Sequence, residues 1–209
     1  MPFETWIVYV TAILVMMSTP GPSQLLMLTN SAANGFRRSS FTLFGDLTAN
    51  FCQMLAAGLG LAVILLAFEH ALTLIKWAGV AYLLWLGIKK LRDSTARDDA
   101  TLSDTTPTSI KTLWLQGFIT SAANPKAVVF FAALFPQFID PNGAFWLQFS
   151  VLSTTYLVID GTILSAYGIS ASWLSERLRG STRVWLDRIG GSFLILAAVL
   201  LGLKSMRLS

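Results

Sequence analysis

Proline has no amide hydrogen to give to a helix interior, yet this chain places prolines inside two of its longest apolar stretches, as Pro20-Gly21-Pro22 and Asn124-Pro125-Lys126. In hydrocarbon there is no water to replace the lost backbone bond. Such a break persists only where protein or a water-filled cavity receives the freed groups. Each break therefore marks a point where the fold has to bring polar partners into apolar surroundings.

The membrane setting follows from composition: 54% of residues are hydrophobic and 12% are charged, about half the charged share of a soluble domain. Six apolar stretches stand out, at 6–30, 42–68, 72–88, 113–135, 145–174 and 185–203. Most exceed the roughly 20 residues that a helix needs to cross the hydrocarbon core. Met1 to Glu4 carries no basic side chain, so the first stretch is expected to stay as a helix and not to be cleaved as a signal. The expected architecture is an all-α membrane protein of six transmembrane helices, helices 1 and 4 being broken by the proline motifs. A first three-helix repeat would occupy 1–90, a polar cytoplasmic linker 91–112 and a second repeat 113–209.

Basic residues set the orientation. Arg37, Arg38, Lys89, Lys90, Arg92, Arg97, Lys111, Arg177, Arg179, Arg183 and Arg188 fall on one side of a six-span chain, and only Lys76, Lys204 and Arg207 on the other. The positive-inside rule puts the first group in the cytoplasm and both termini outside. The halves also share an order of features: a proline break in the first helix, one intramembrane aspartate in the second, and Gly87-Ile88-Lys89 or Gly202-Leu203-Lys204 closing the third. Three spans per half make the second copy enter from the opposite face, which is an inverted repeat.

Pro20 and Pro22 should free the carbonyls of Met16 and Ser18, while Gly21 opens backbone angles closed to other residues. With Gly21 capping a new half-helix and Pro22 at its first position, the amides of Ser23 and Gln24 would face the break with the positive end of the helix dipole behind them. A carboxylate suits that position. Asn124 and Pro125 form the same cap and first position, and Lys126 adds a full charge deep in the segment. An ammonium there needs a partner, for which Asp160 and Asp46 are the choices. Helical spacing puts Asp46, Asn50 and Gln53 on one face and Tyr156, Asp160 and Tyr167 on another, both expected to look into the bundle. Plainer roles compete: Asp46 as an interfacial carboxylate beside Arg37 and Arg38, His70 as a loop residue, and Ala56, Gly58 and Gly60 as helix-packing positions.

Several classes drop out. The single Cys52 makes no internal disulfide, and a lone His70 without a cysteine cluster gives no metal site, so no cofactor is expected. Basic residues are scattered between apolar runs and form no patch for nucleic acid. Neither a Ser/His pairing nor closely spaced acids suggest an intramembrane enzyme.

The run Ser18-Thr19-Pro20-Gly21-Pro22, the run Asn124-Pro125-Lys126 and six apolar stretches in about 200 residues resemble, over essentially the whole chain, the LysE/RhtB superfamily of bacterial amino-acid exporters. The resemblance implies efflux of amino acids of the homoserine, threonine, lysine or leucine type across the bacterial inner membrane, driven by a proton or electrochemical gradient. The expected substrate site is Pro20, Gly21, Pro22, Ser23, Gln24, Asn124, Pro125 and Lys126, with Asp46, Asp160 and Lys126 as the coupling or ion-pairing groups. Asp160 would alternate between pairing with Lys126 and carrying a proton. Expected partners are a small amino acid and membrane lipid, and the residues leave a homo-oligomer open. They also leave open a transporter of another small solute or cation, or a membrane subunit that does not transport.

The topology is testable with reporter fusions. A fusion after Ser209 should report the outer face, and one within 98–109 the cytoplasm. A cytoplasmic carboxyl terminus overturns the six-span arrangement.

Overall fold

The computed structural model describes residues 1–60, 77–78, 80–89, 91–92 and 108–177, together with 188, 191–192, 195–196 and 198–199. The region around His70, most of the linker 91–112, the start of the third apolar stretch and the end of the sixth, with Gly202-Leu203-Lys204, lie outside the described residues. All regular structure among the described residues is helical. The helices are α1 (Phe3–Met17), α2 (Pro22–Asn34), α3 (Phe36–Gly58), α4 (Val80–Lys89), α5 (Ile110–Ala122), α6 (Pro125–Val129) and α7 (Phe145–Arg177). A π-helical turn, Phe130–Leu134, and a 3-10 turn, Phe135–Phe138, extend α6.

Both proline motifs break their helices where the sequence places them. α1 and α2 meet at 62°, and α5 and the segment from α6 to Phe138 meet at 51°. By length and composition α7 can cross a membrane, and each bent pair can do so when counted as one span. At 33 residues α7 is about 50 Å long, well beyond the hydrocarbon thickness, so it tilts or projects. α3 starts before the second apolar stretch and takes Arg37 and Arg38 into its first turn. Gly35, at φ 75°, makes the corner with α2 that puts them there. Ser39, Thr42, Asp46 and Asn50 form the buried face of α3, which is why this helix is less apolar than its neighbours.

The closest crossing joins α3 to α5 and needs two glycines. A methyl group on Gly45 would overlap the carbonyl oxygen of Trp114, and one on Gly117 the carbonyl oxygen of Thr42. With no hydrophobic drive between helices in lipid, such small-residue contacts let backbones meet and van der Waals packing hold. Gly168 plays a related part where α7 lies on α2: an added Cβ would stand 2.5 Å from Met27 Cε and 2.9 Å from Ser31 Oγ. Gly87 of α4 and Gly191 form a further contact of this kind, with each added Cβ about 3 Å from the other residue's carbonyl oxygen (2.9 and 3.0 Å). Gly58 meets Phe145 and Phe149, in keeping with a packing role, whereas Gly60, at φ 79°, sits in open space at the turn after α3.

The core is unevenly divided about the breaks. Toward the amino-terminal end of α1 it is aromatic: Tyr9, Phe130, Phe131, Phe135, Phe149 and Tyr156 pack edge to face, with Tyr9 and Phe138 centroids 4.9 Å apart and Phe131 and Tyr156 4.8 Å apart. Toward the carboxyl-terminal end of α2 it is polar. Asn30 Nδ2 donates to Thr42 Oγ1 at 3.0 Å and to Gln116 Oε1 at 2.9 Å, tying α2 to α3 and α5.

Gly117→Ala should lower stability by about 1–3 kcal/mol, because the backbone of α3 has nowhere to move. Gly161→Ala, where the nearest atom to an added Cβ is Leu47 Cδ1 at 3.6 Å, should be near neutral. Thermal unfolding in detergent, with membrane abundance measured alongside, checks the contrast.

Candidate functional site

The two breaks face each other, and a small polar cleft lies between them. From the first helix pair it is lined by Met16, Met17, Ser23 and Gln24, and from the second by Asn124, Lys126 and Ala127. Asp46 and Asn50 of α3, Ser121 of α5, and Tyr156 and Asp160 of α7 complete the wall. Its empty volume, open mouth included, is about 330 Å³.

The freed backbone groups find named partners. Thr19 Oγ1 donates to Met16 O, the carbonyl released by Pro20, at 3.3 Å. Lys126 Nζ donates to Thr19 O at 2.7 Å and to Thr19 Oγ1 at 3.0 Å, so the second break supplies the cation that satisfies the first. Pro125 releases Ser121 O, and Gln53 Nε2 of α3 donates to that oxygen and to Ala122 O, each at 3.2 Å.

Gly21 caps α2 with Pro22 in the first position, and Asn124 caps α6 with Pro125 in the first position. The caps use up some of the donors. Gln24 Oε1 accepts from Gly21 N at 2.9 Å, and Asn124 Oδ1 from Lys126 N at 3.1 Å. Gly21 has φ −124° and ψ −173°, extended angles open to any residue, so backbone freedom is not its reason for being there. A Cβ there would stand 3.3 Å from the Gln24 oxygen that caps it, a tight contact that a small shift of the glutamine tip relieves.

Opposite the breaks, Asn50 holds the two carboxylates together. Its Nδ2 donates to Asp46 Oδ2 and to Asp160 Oδ2, both at 2.8 Å, and its Oδ1 accepts from Ser121 Oγ at 2.9 Å. Asp46 is 3% exposed and Asp160 4%. Asp46 Oδ1 is buried with no hydrogen-bond partner, as is Gln53 Oε1. The interfacial alternative for Asp46 therefore fails, since the carboxylate points inward to Asn50. The expected Lys126–Asp160 contact is not made either: both line the cleft, but the ammonium is bound by Thr19 across the break. A freed carbonyl at 2.7 Å is the nearer acceptor, and Asp160 is turned to Asn50.

Of the residues singled out in the sequence, Ser23, Gln24, Asn124, Lys126, Asp46 and Asp160 share this cleft. Pro20 is exposed, and Gly21, Pro22 and Pro125 shape the walls through their backbones. Asn50 and Gln53 were visible only as neighbours of Asp46 at helical spacing, Thr19 only as part of the run that carries the family resemblance, and Ser121 only as lying beside a break. Among the described residues no group of three His, Cys, Asp or Glu is placed to hold a metal ion.

A helical membrane protein whose polar cleft, lined by two acids and a lysine, is built where two interrupted helices meet has the construction of a membrane translocator. The LysE type translocator family matches residues 14–205, and the chain belongs to that family. The family is one of translocators and not of enzymes.

Named relatives agree over nearly full length. The chain is 33% identical over 206 residues to a homoserine/homoserine lactone efflux protein of Salmonella typhimurium, covering 96% of this chain and 97% of the relative. It is 32% identical over 202 residues to the protein of the same name in Salmonella typhi, with 96% and 97% covered. An uncharacterized membrane protein of Vibrio cholerae is 32% identical over 202 residues, with 96% and 98% covered. No solved structure matches.

Asn50→Leu should destabilise the protein by about 1–3 kcal/mol for each polar group it orphans. Asn50→Ser, which keeps one donor, should lose less. Unfolding in detergent measures both.

Proposed function

We propose that this protein is a secondary exporter of small amino acids, of the homoserine, threonine, lysine or leucine type, across the bacterial inner membrane. The observation that carries the proposal is the meeting of the two helix breaks around one cleft whose lining includes Lys126, Asp46 and Asp160. A zwitterion has the matching pair of charges. Its carboxylate would lie toward Lys126 and the amides of Ser23 and Gln24, and its ammonium toward the aspartates. The two Salmonella relatives are named homoserine/homoserine lactone efflux proteins, which supports homoserine among these substrates.

Six spans in two inverted repeats are the arrangement we propose for the whole chain. Its support is the order of features shared by the two halves: a proline break in the first apolar helix, at 62° and 51°, and one buried aspartate on the next helix. Alternating access would then rock the halves about the cleft. A proton gradient is the proposed driving force, with Asp160 carrying the proton when it is not engaged by a cation. The substrate and membrane lipid are the proposed partners.

Export of radiolabelled homoserine from proteoliposomes tests the reading. Gly21→Leu and Pro125→Ala should lower the rate at least about tenfold, the equivalent of roughly 1.4 kcal/mol at the site, with membrane abundance kept. Normal export by both variants removes the broken helices from the mechanism.

A further inference from the structure

Between the cleft and the corner that joins α2 to α3, the interior is lined by small neutral hydrogen-bonding groups. Ser39, Thr42 and Asp46 follow one another on the buried face of α3 that leads to Asn50. Asn30 of α2 reaches across to Thr42 and to Gln116 of α5. Ser31 and Ser39 are fully buried, and neither hydroxyl has a hydrogen-bond partner among the described residues. No charged side chain lies on α2, on α3 between Arg38 and Asp46, or on α5 beyond Lys111. In an interior that stayed closed, a hydroxyl without a partner would be a net cost that an alanine avoids. Such groups belong where water reaches them in another state of the protein.

Single hydrogen bonds hold this region shut. Asn34 Oδ1 accepts from Thr108 N at 3.1 Å, Ser175 Oγ donates to Ala32 O at 2.8 Å, and Ser172 Oγ accepts from Phe36 N at 3.2 Å. Water can replace each of them as the helices part. The opposite end of the cleft offers no such exchange, since Phe135 packs ring against ring with Tyr9, Phe131 and Phe149. We infer that the hydroxyl and amide face of α2 and α3, from Ser39 through Thr42 and Asn30 to Asp46, walls a hydrated passage by which polar solute moves between the cytoplasm and the cleft. The inference rests on the exporter reading and adds the entry route to it. Arg37 and Arg38 put the corner on the cytoplasmic side by the positive-inside rule. Neutral walls hold neither a zwitterion nor an uncharged polar solute strongly, so both pass and discrimination stays in the cleft.

Cysteine reactivity tests the passage, because a thiol reacts as its thiolate, which forms in water and is disfavoured in apolar surroundings. Cys52, exposed on α3, is first replaced as Cys52→Ser. Ser39→Cys, Phe44→Cys and Met54→Cys then put one thiol on the same helix at the passage, at the outer surface and in the aromatic core. A charged, membrane-impermeant methanethiosulfonate added to inside-out vesicles should label Ser39→Cys at least about tenfold faster than the other two. The bulky adduct should cut homoserine uptake into the same vesicles by about tenfold or more, a barrier rise of roughly 1.4 kcal/mol. Where Ser39→Cys does not reach the membrane, Ser31→Cys takes its place. Labelling no faster than that of Met54→Cys, labelling from the outer face alone, or full transport after labelling overturns the passage, while homoserine transport by the wild-type chain keeps the exporter reading. No homoserine transport by the wild-type chain overturns both.

Discussion

A helix broken inside a membrane leaves backbone groups that only other parts of the protein can satisfy, and the centre of this structure is arranged around that requirement. Pro125 gives Ser121 O no helical donor, and that oxygen accepts Asn124 N at the turn and Gln53 from α3. The unwound stretch at Thr19 receives Lys126 from the opposite break. These bonds make each half of the chain depend on the other. They also explain how a lysine and two aspartates are kept at the depth of the breaks, where an unpaired charge costs at least roughly 2.5–3.5 kcal/mol on insertion scales.

The bonds are short because the helices are close. Gly45 and Gly117 let α3 and α5 approach until side-chain Cβ atoms would collide with backbone, and one turn beyond them Asn50 meets Ser121 at 2.9 Å. Larger residues at the crossing would move α3 away from the broken end of α5, leaving Gln53 short of the carbonyls it serves. Packing and polar chemistry are coupled here through two residues without side chains. The uneven core has a mechanical consequence as well. The aromatic cluster on one side of the cleft is dense and makes few hydrogen bonds, while the amide cluster at Asn30, Thr42 and Gln116 on the other is directional. Separating the first means parting apolar surfaces, and separating the second means exchanging hydrogen bonds with water, which are different costs.

Much of this was legible in the chain. Proline chemistry located both breaks and both caps, helical spacing put Asp46 and Asn50 on a buried face, and the motif resemblance pointed to the translocator family that matches residues 14–205. Charge rules paired Lys126 with Asp160 because they consider charges and not the carbonyls that a break exposes. In the folded protein a carbonyl at 2.7 Å takes the ammonium instead. Gly21 was read as opening backbone angles closed to other residues, and its extended angles are ones that any residue adopts.

What the sequence determined by itself is what local chemistry and solvent enforce: apolar helices, interruptions where an amide is missing, and polar faces at a period of 3.6. Tertiary structure decided which freed carbonyl each polar side chain answers, and that the two acids are joined through one asparagine. Those pairings depend on how closely α3 and α5 cross and how α7 lies on α2. Such distances are set by contacts between residues as far apart as Gly45 and Trp114, or Asn50 and Asp160, which no local pattern in the chain records.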